Sequence, residues 1–202
     1  MQLVLGSVYA GCLDYYASIL NHEEVIIDVY EHFQKQSYRN RCVIAGANGP
    51  LNLIIPIIRK SKTALKDVQI DHSQQWRKMH WKSLESAYRT SPYFEYYEHE
   101  FEPIYKKEIE FLLDFNIEIQ DAVFRCLQLE HKIKYSSAYI SESDDILDLR
   151  NKIHPKKEVT SFLKIQDYPQ VFDDRMPFLP NLSVLDVLFN EGPMALKMLR
   201  GW

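Results

Sequence analysis

Three segments at the start of the chain most constrain its fold. Gln2–Leu5 is a short apolar run closed by Gly6, and Cys12–Leu20 carries Leu13, Tyr16, Ala17 and Leu20 at helical spacing. Glu24–Val29 reads Glu-Val-Ile-Ile-Asp-Val, the β-branched composition of a strand. Strand, turn, helix and strand in this order open a βαβ unit, a Rossmann-like start that places the chain in the α/β class. A loop, His32–Asn40, follows. Arg41–Ala45 and Leu51–Ile57 then flank Asn48-Gly49, a strong hairpin signal. Pro56 confines the second run to an edge or a strand end.

Beyond Asp71 the pattern turns helical. In Ser73–Tyr88 the polar stripe Lys78, Lys82, Glu85 and Arg89 is narrow. Trp76, Met79, His80, Trp81, Ser83, Leu84, Ala87 and Tyr88 cover the rest, so a helix buried on most of its surface is expected, stopped by Pro92. Pro103 fits the first turn of a helix running to Leu129, with Asn116 its weak point. Ser137–Ile140 reads as a short strand and Ser143–Arg150 as a short helix capped by Ser143. Asn151–Pro180 should be irregular, and Ser183–Met198 a closing helix interrupted at Gly192-Pro193. The expectation is a single domain over 1–202: a small sheet and β-hairpin in 1–60, packed by a mainly helical 71–202.

Composition enters where it excludes. The 202 residues are 46% hydrophobic and 26% charged, which rules out a disordered, collagen-like or coiled-coil chain. Cys12, Cys42 and Cys126 are odd in number and far apart, so neither a disulfide framework nor a zinc knuckle is expected, but reduced, buried thiols. Met1–Leu5 lacks a basic leader, and the longest apolar run, Leu51–Ile58, is broken by Asn52 and Pro56. A cytoplasmic protein without a membrane span is the expectation. Gly-x-Gly-x-x-Gly, Walker and Gly-x-Ser-x-Gly patterns are missing, which argues against dinucleotide dehydrogenases, P-loop NTPases and α/β-hydrolases. The scattered histidines support no metal site.

The net charge of −4 gives no reason to expect a nucleic-acid polymer as partner, yet it hides an uneven distribution. Residues 35–92 hold eleven Lys/Arg against three Asp/Glu, and residues 93–121 hold two against nine. The densest polar cluster is Lys35-Gln36-Ser37-Tyr38-Arg39-Asn40-Arg41, in a loop before a strand, where binding residues concentrate. In extended backbone Arg39 and Arg41 share a side, and two guanidinium forks suit a phosphate or carboxylate, while Asn40 faces away toward backbone. The alternative is a solvated basic loop paired with the acidic helix Glu95–Asp121. Trp76 and His80 share a helical face. His80 is either a core histidine or a general acid/base beside a phosphoryl group.

Several of these stretches together resemble the WbqC-like family of bacterial surface-polysaccharide (O-antigen) biosynthesis. They are the aromatic pair Tyr15-Tyr16, Asp28 closing the second strand, the Lys35–Arg41 cluster with its Asn40-Arg41, Asn48-Gly49, and Leu53 to Pro56. Trp76, His80, Trp81, Tyr88, Ser91-Pro92-Tyr93-Phe94 and the block Leu182–Pro193 complete the set. One departure stands out: Gly6-Ser7-Val8-Tyr9-Ala10-Gly11 replaces a Gln-Pro turn common in relatives. The start also resembles nucleotidyltransferase-like Rossmann folds, with Tyr9 and Tyr15 where those enzymes place histidines.

The resemblance implies a transferase or ligase acting on an activated, phosphate-bearing sugar, or a non-catalytic binder of the same pathway. Its partner would be an anionic small molecule such as a nucleotide or nucleotide sugar; no cofactor follows. Arg39 and Arg41 would hold phosphates, Lys35 and Asn40 would belong to the same substrate-binding loop, Tyr38 and Trp76 would stack on a ring, Tyr9 and Tyr15 would line the site, His80 would act as acid/base, and Asp28 would orient the ligand.

Overall fold

The computed structural model describes residues 1–58, 62–130, 133–157 and 167–201. Its elements in chain order are β1 (Gln2–Leu5), α1 (Leu13–Leu20), β2 (Val25–Ile27), β3 (Arg41–Gly46), β4 (Gly49–Ile54), α2 (Trp76–Tyr88), α3 (Phe94–Lys106), α4 (Leu112–Cys126), β5 (Ile133–Tyr135), β6 (Ile146–Asp148), α5 (Val184–Glu191) and α6 (Ala195–Leu199).

A four-stranded, wholly parallel sheet has the order β5-β2-β1-β6. Leu3, Val4 and Leu5 are all buried, the continuous apolar run that a parallel strand covered on both faces requires. Along the chain, β1, β2 and β5 step one way across the sheet and β6 returns to the other side of β1. The order therefore reverses between β1 and β6, the place where open α/β sheets form a crevice beyond their carboxyl ends. The antiparallel hairpin β3–β4 forms a separate two-stranded unit. This is the expected α/β class with a Rossmann-like start, a hairpin and helical packing.

Two elements correct the sequence reading. Residues 146–148 form β6, not a helix over Ser143–Arg150, because Ile146 and Leu147 register against Gln2 and Leu3 and complete the far side of β1. The expected strand at Ser137–Ile140 lies earlier, at β5, where Ile133 registers with Val25. In both, tertiary pairing overrides a weak local pattern. Pro103 sits inside α3 rather than opening a helix, and α4 runs unbroken through Asn116. Pro103 is exposed, as is His99, whose carbonyl loses its helical donor on the solvent side of the helix. The hairpin turn is Ala47-Asn48, one residue earlier than Asn48-Gly49; Gly46 pairs with Gly49, whose φ of +117° suits glycine. Part of the irregular stretch Asn151–Pro180, residues 158–166, lies outside the described residues.

Helix α2 buries Trp76, His80, Trp81, Leu84, Ala87 and Tyr88, but Met79 is 64% exposed, so the buried face is narrower than the wheel suggested. The C-terminal helix α5 is core: Val184, Leu185, Leu188 and Phe189 are inaccessible. Ser183 caps it, accepting from the Leu185 amide at 3.2 Å and donating to the Ala10 carbonyl at 2.7 Å. Its own amide donates to Val43 in β3. One residue thus ties α5, the turn after β1 and the hairpin together. Buried Asp186 accepts from Tyr88 (2.8 Å), Tyr168 (2.7 Å) and Gln170 (3.0 Å), fixing α2 and the segment before α5 on the same carboxylate. Gly192, at φ +55°, ends α5 where a Cβ would meet the Tyr93 ring at 2.5 Å. The three cysteines are free and buried, and burial pushes each thiol up to about 12.

Candidate functional site

The carboxyl edge of the sheet carries a buried network of charge. Asp28 follows β2 and is fully buried. Its Oδ1 accepts from the Tyr30 amide (3.0 Å) and Ser136 Oγ (2.9 Å), and its Oδ2 from the Ile140 amide (3.2 Å) and the Arg150 guanidinium (2.5 Å). Arg150, two residues beyond β6, also grips Asp148 through Nε and Nη2 and lies over the Tyr139 ring at 5.0 Å. Arg39 is 2% exposed. Its Nε and Nη2 donate to the two oxygens of Glu31 at 3.0 and 2.5 Å, and Nη2 also donates to the Arg150 carbonyl. Burial raises Glu31 above the usual carboxylate range, with Arg39 pulling the other way. Glu31 and Arg150 carry no motif in the sequence; Glu31 precedes its partner by eight residues across an irregular loop. Asp148 and Arg150 do share a face of extended chain, the one local signal available.

The Lys35–Arg41 cluster therefore divides. Arg39 turns inward, while Lys35, Gln36, Asn40 and Arg41 line an open cleft of about 640 Å³ with Phe33, Ile54, Ile57, Ile58, Lys62, Thr63 and Val68. The alternation that would have placed Arg39 beside Arg41 holds only in a strand, and β3 begins at Arg41. Asn40 donates to the Ile55 carbonyl (2.8 Å) and accepts the Ile55 amide on its own carbonyl, locking the loop to the end of β4. Arg41 Nε is buried without a hydrogen-bond partner. No carboxylate among the described residues pairs with Lys35, Arg41 or Lys62, and none of the acidic residues of α3 and α4 reaches the loop. Lys62 and the isoleucine wall were not legible as site residues, since neither has a motif.

The remaining candidates sit in the core. His80 stacks on Tyr9 with ring centroids 5.7 Å apart, and its Nδ1 is hydrogen-bonded to the Tyr9 hydroxyl at 3.0 Å. That hydroxyl meets Tyr105 at 2.7 Å. Burial lowers His80 to about 4, partly offset by a backbone hydrogen bond at Ile54, so the ring is neutral at pH 7. Trp76 packs edge-on to His80 and Phe115, and its Nε1 is buried without a partner. Tyr15 donates to the Gly6 carbonyl at 3.0 Å. Tyr38 is buried, its carbonyl accepting the Tyr9 amide. The structure brings Tyr9, His80 and Trp76 together, and separately Lys35, Asn40 and Arg41; Asp28 and Arg39 belong to the buried charge network.

Among the described residues no helix is long and apolar enough to cross a membrane. No curated protein and no solved structure matches the chain. The model of the WbqC-like protein family matches residues 7–161, which span the first turn, the charge network, the cleft and helices α1 to α4. The chain belongs to the WbqC-like protein family.

Proposed function

We propose that this protein binds a phosphate-bearing, activated sugar in the cytoplasm during surface-polysaccharide (O-antigen) assembly, with the cleft between the Lys35–Arg41 loop and β4 as its seat. The observation that carries this reading is Arg41: a guanidinium with one buried, unpartnered N–H, beside Lys35 and, among the described residues, with no carboxylate to neutralise either. Buried donors are satisfied as a rule, so a phosphate oxygen is the natural complement. Phe33, Ile54, Ile57 and Ile58 supply an apolar wall for a ring. The family resemblance supplies the pathway, and transfer or ligation at the activated carbon is the reaction class, the two cations stabilising charge on the departing phosphate.

A non-catalytic binding role is the second reading, and one observation favours it: neither Asp28, saturated by four donors, nor neutral His80 lines the cleft. A thermal-shift screen of nucleotides and nucleotide sugars tests both. A ligand at 100 times its Kd stabilises by about 2.7 kcal/mol. Arg41→Ala should weaken any hit by about 1.5–3 kcal/mol without unfolding the chain. Unchanged affinity would sink the cleft reading, and turnover of the hit separates enzyme from binder.

A further inference from the structure

The segment after β6 brings a second group of cations to the rim of the same cleft. Lys156 Nζ donates to Gln36 Oε1 at 2.5 Å, and Gln36 lines the cleft. A second tie, from the Gln34 amide to Asn151, holds the same loop against the same segment. Lys157 is exposed, its Nζ on the Asn151 carbonyl. Among the described residues neither Lys156 nor Lys157 has a carboxylate partner. Half-buried His154 reports the local field. Burial lowers it first, followed by the charges of Lys157, Arg39, Lys156 and Arg41. Among the described residues Glu31 and Asp148 are spent on Arg39 and Arg150.

Two cationic groups with no carboxylate partner among the described residues therefore flank Gln36, with Lys35 and Arg41 lining the cleft and Lys156 tied to Gln36 beside Lys157. Like charges held together in a folded protein repel, and the arrangement is relieved by an anion that spans them. We infer that the ligand is a diphosphate rather than a monophosphate, its inner phosphoryl group on Lys35 and Arg41 and its outer one on Lys156 and Lys157 across Gln36. This rests on the reading of the cleft as a phosphate site. It narrows the ligand class to molecules with two linked phosphoryl groups, such as a sugar joined through a diphosphate.

Calorimetric titration of the full chain with inorganic phosphate and inorganic pyrophosphate tests it. Pyrophosphate should bind about tenfold more tightly or better, one additional charged hydrogen bond's worth. The exposed pair Lys156→Ala/Lys157→Ala should abolish that advantage and leave phosphate affinity within about twofold. Lys152→Ala, which removes a cation of the same segment that does not line the cleft, should leave the ratio unchanged. A pyrophosphate preference that survives the double substitution, or one that falls equally in the Lys152 variant, overturns the inference while phosphate binding dependent on Arg41 still stands. Absence of binding by either anion overturns the cleft reading itself, and the inference with it.

Discussion

Glu31 lies against Gly6 so closely that a Cβ on the glycine would stand 2.1 Å from the Glu31 Oε1. The carboxylate occupies the space just beyond the end of β1, and the glycine is there because no side chain fits. Arg39 Nη2 is 3.1 Å from the same position. Gly6→Ala must push Glu31 off its two-pronged grip on Arg39. A loss of about 1–3 kcal/mol in urea unfolding is expected. Wild-type stability in this variant would mean that Glu31 has room to move.

Arg39 and Arg41, two residues apart, should behave oppositely. Arg39→Met strands Glu31 in the interior without a partner, at a cost of about 3–5 kcal/mol at neutral pH. The cost should shrink in acid. A carboxyl whose folded pKa is raised is most stable when protonated, so its contribution is present below its ordinary value of 4.5 and is lost as pH rises through the folded value. Losing Arg39 steepens that dependence. Urea midpoints of variant and wild type at pH 7 and in mild acid give the comparison; a gap that does not narrow in acid would mean that Glu31 is not the group left unpaired.

His80 sets a second pH dependence, of opposite sign. Its pKa falls from 6.5 to about 4 on folding, so the unfolded chain binds the extra proton between those values. Stability from this group is complete above pH 6.5 and is lost as pH falls toward 4, by about 3 kcal/mol in all. His80→Gln keeps a polar group near Tyr9 and should flatten that part of the profile. Identical pH profiles for variant and wild type would show that His80 titrates normally.

Leu185→Ala should cost about 2–5 kcal/mol in chemical unfolding, because the side chain is inaccessible and its cavity would be walled by fixed elements. A loss below about 1 kcal/mol would place α5 outside the cooperative core.

The opening β1–α1–β2 was legible because period-2 and period-3.6 patterns were each written over enough residues. The pieces that complete the sheet were not. Ile146–Asp148 is three residues long and follows Ser143 and two aspartates, which imitate the start of a helix. Only the free side of β1, unseen in the sequence, makes it a strand. The site was legible by half for a similar reason. Lys35, Asn40 and Arg41 stand out locally and do share the cleft. Arg39 looked the same, yet its partners Glu31 and Arg150 come from two other segments, and no spacing rule joins them.

The parallel order of the sheet also governs when the protein can take shape. β1 finds its outer neighbour only at residue 146, and β2 finds its own only at residue 133. As the chain leaves the ribosome, β1 and β2 must wait as a bare pair, with Val25, Ile26 and Ile27 offering an unpaired edge to any strand nearby. Such long-range closure is slow, and it makes the first 130 residues the interval in which a nascent chain most needs protection from its neighbours.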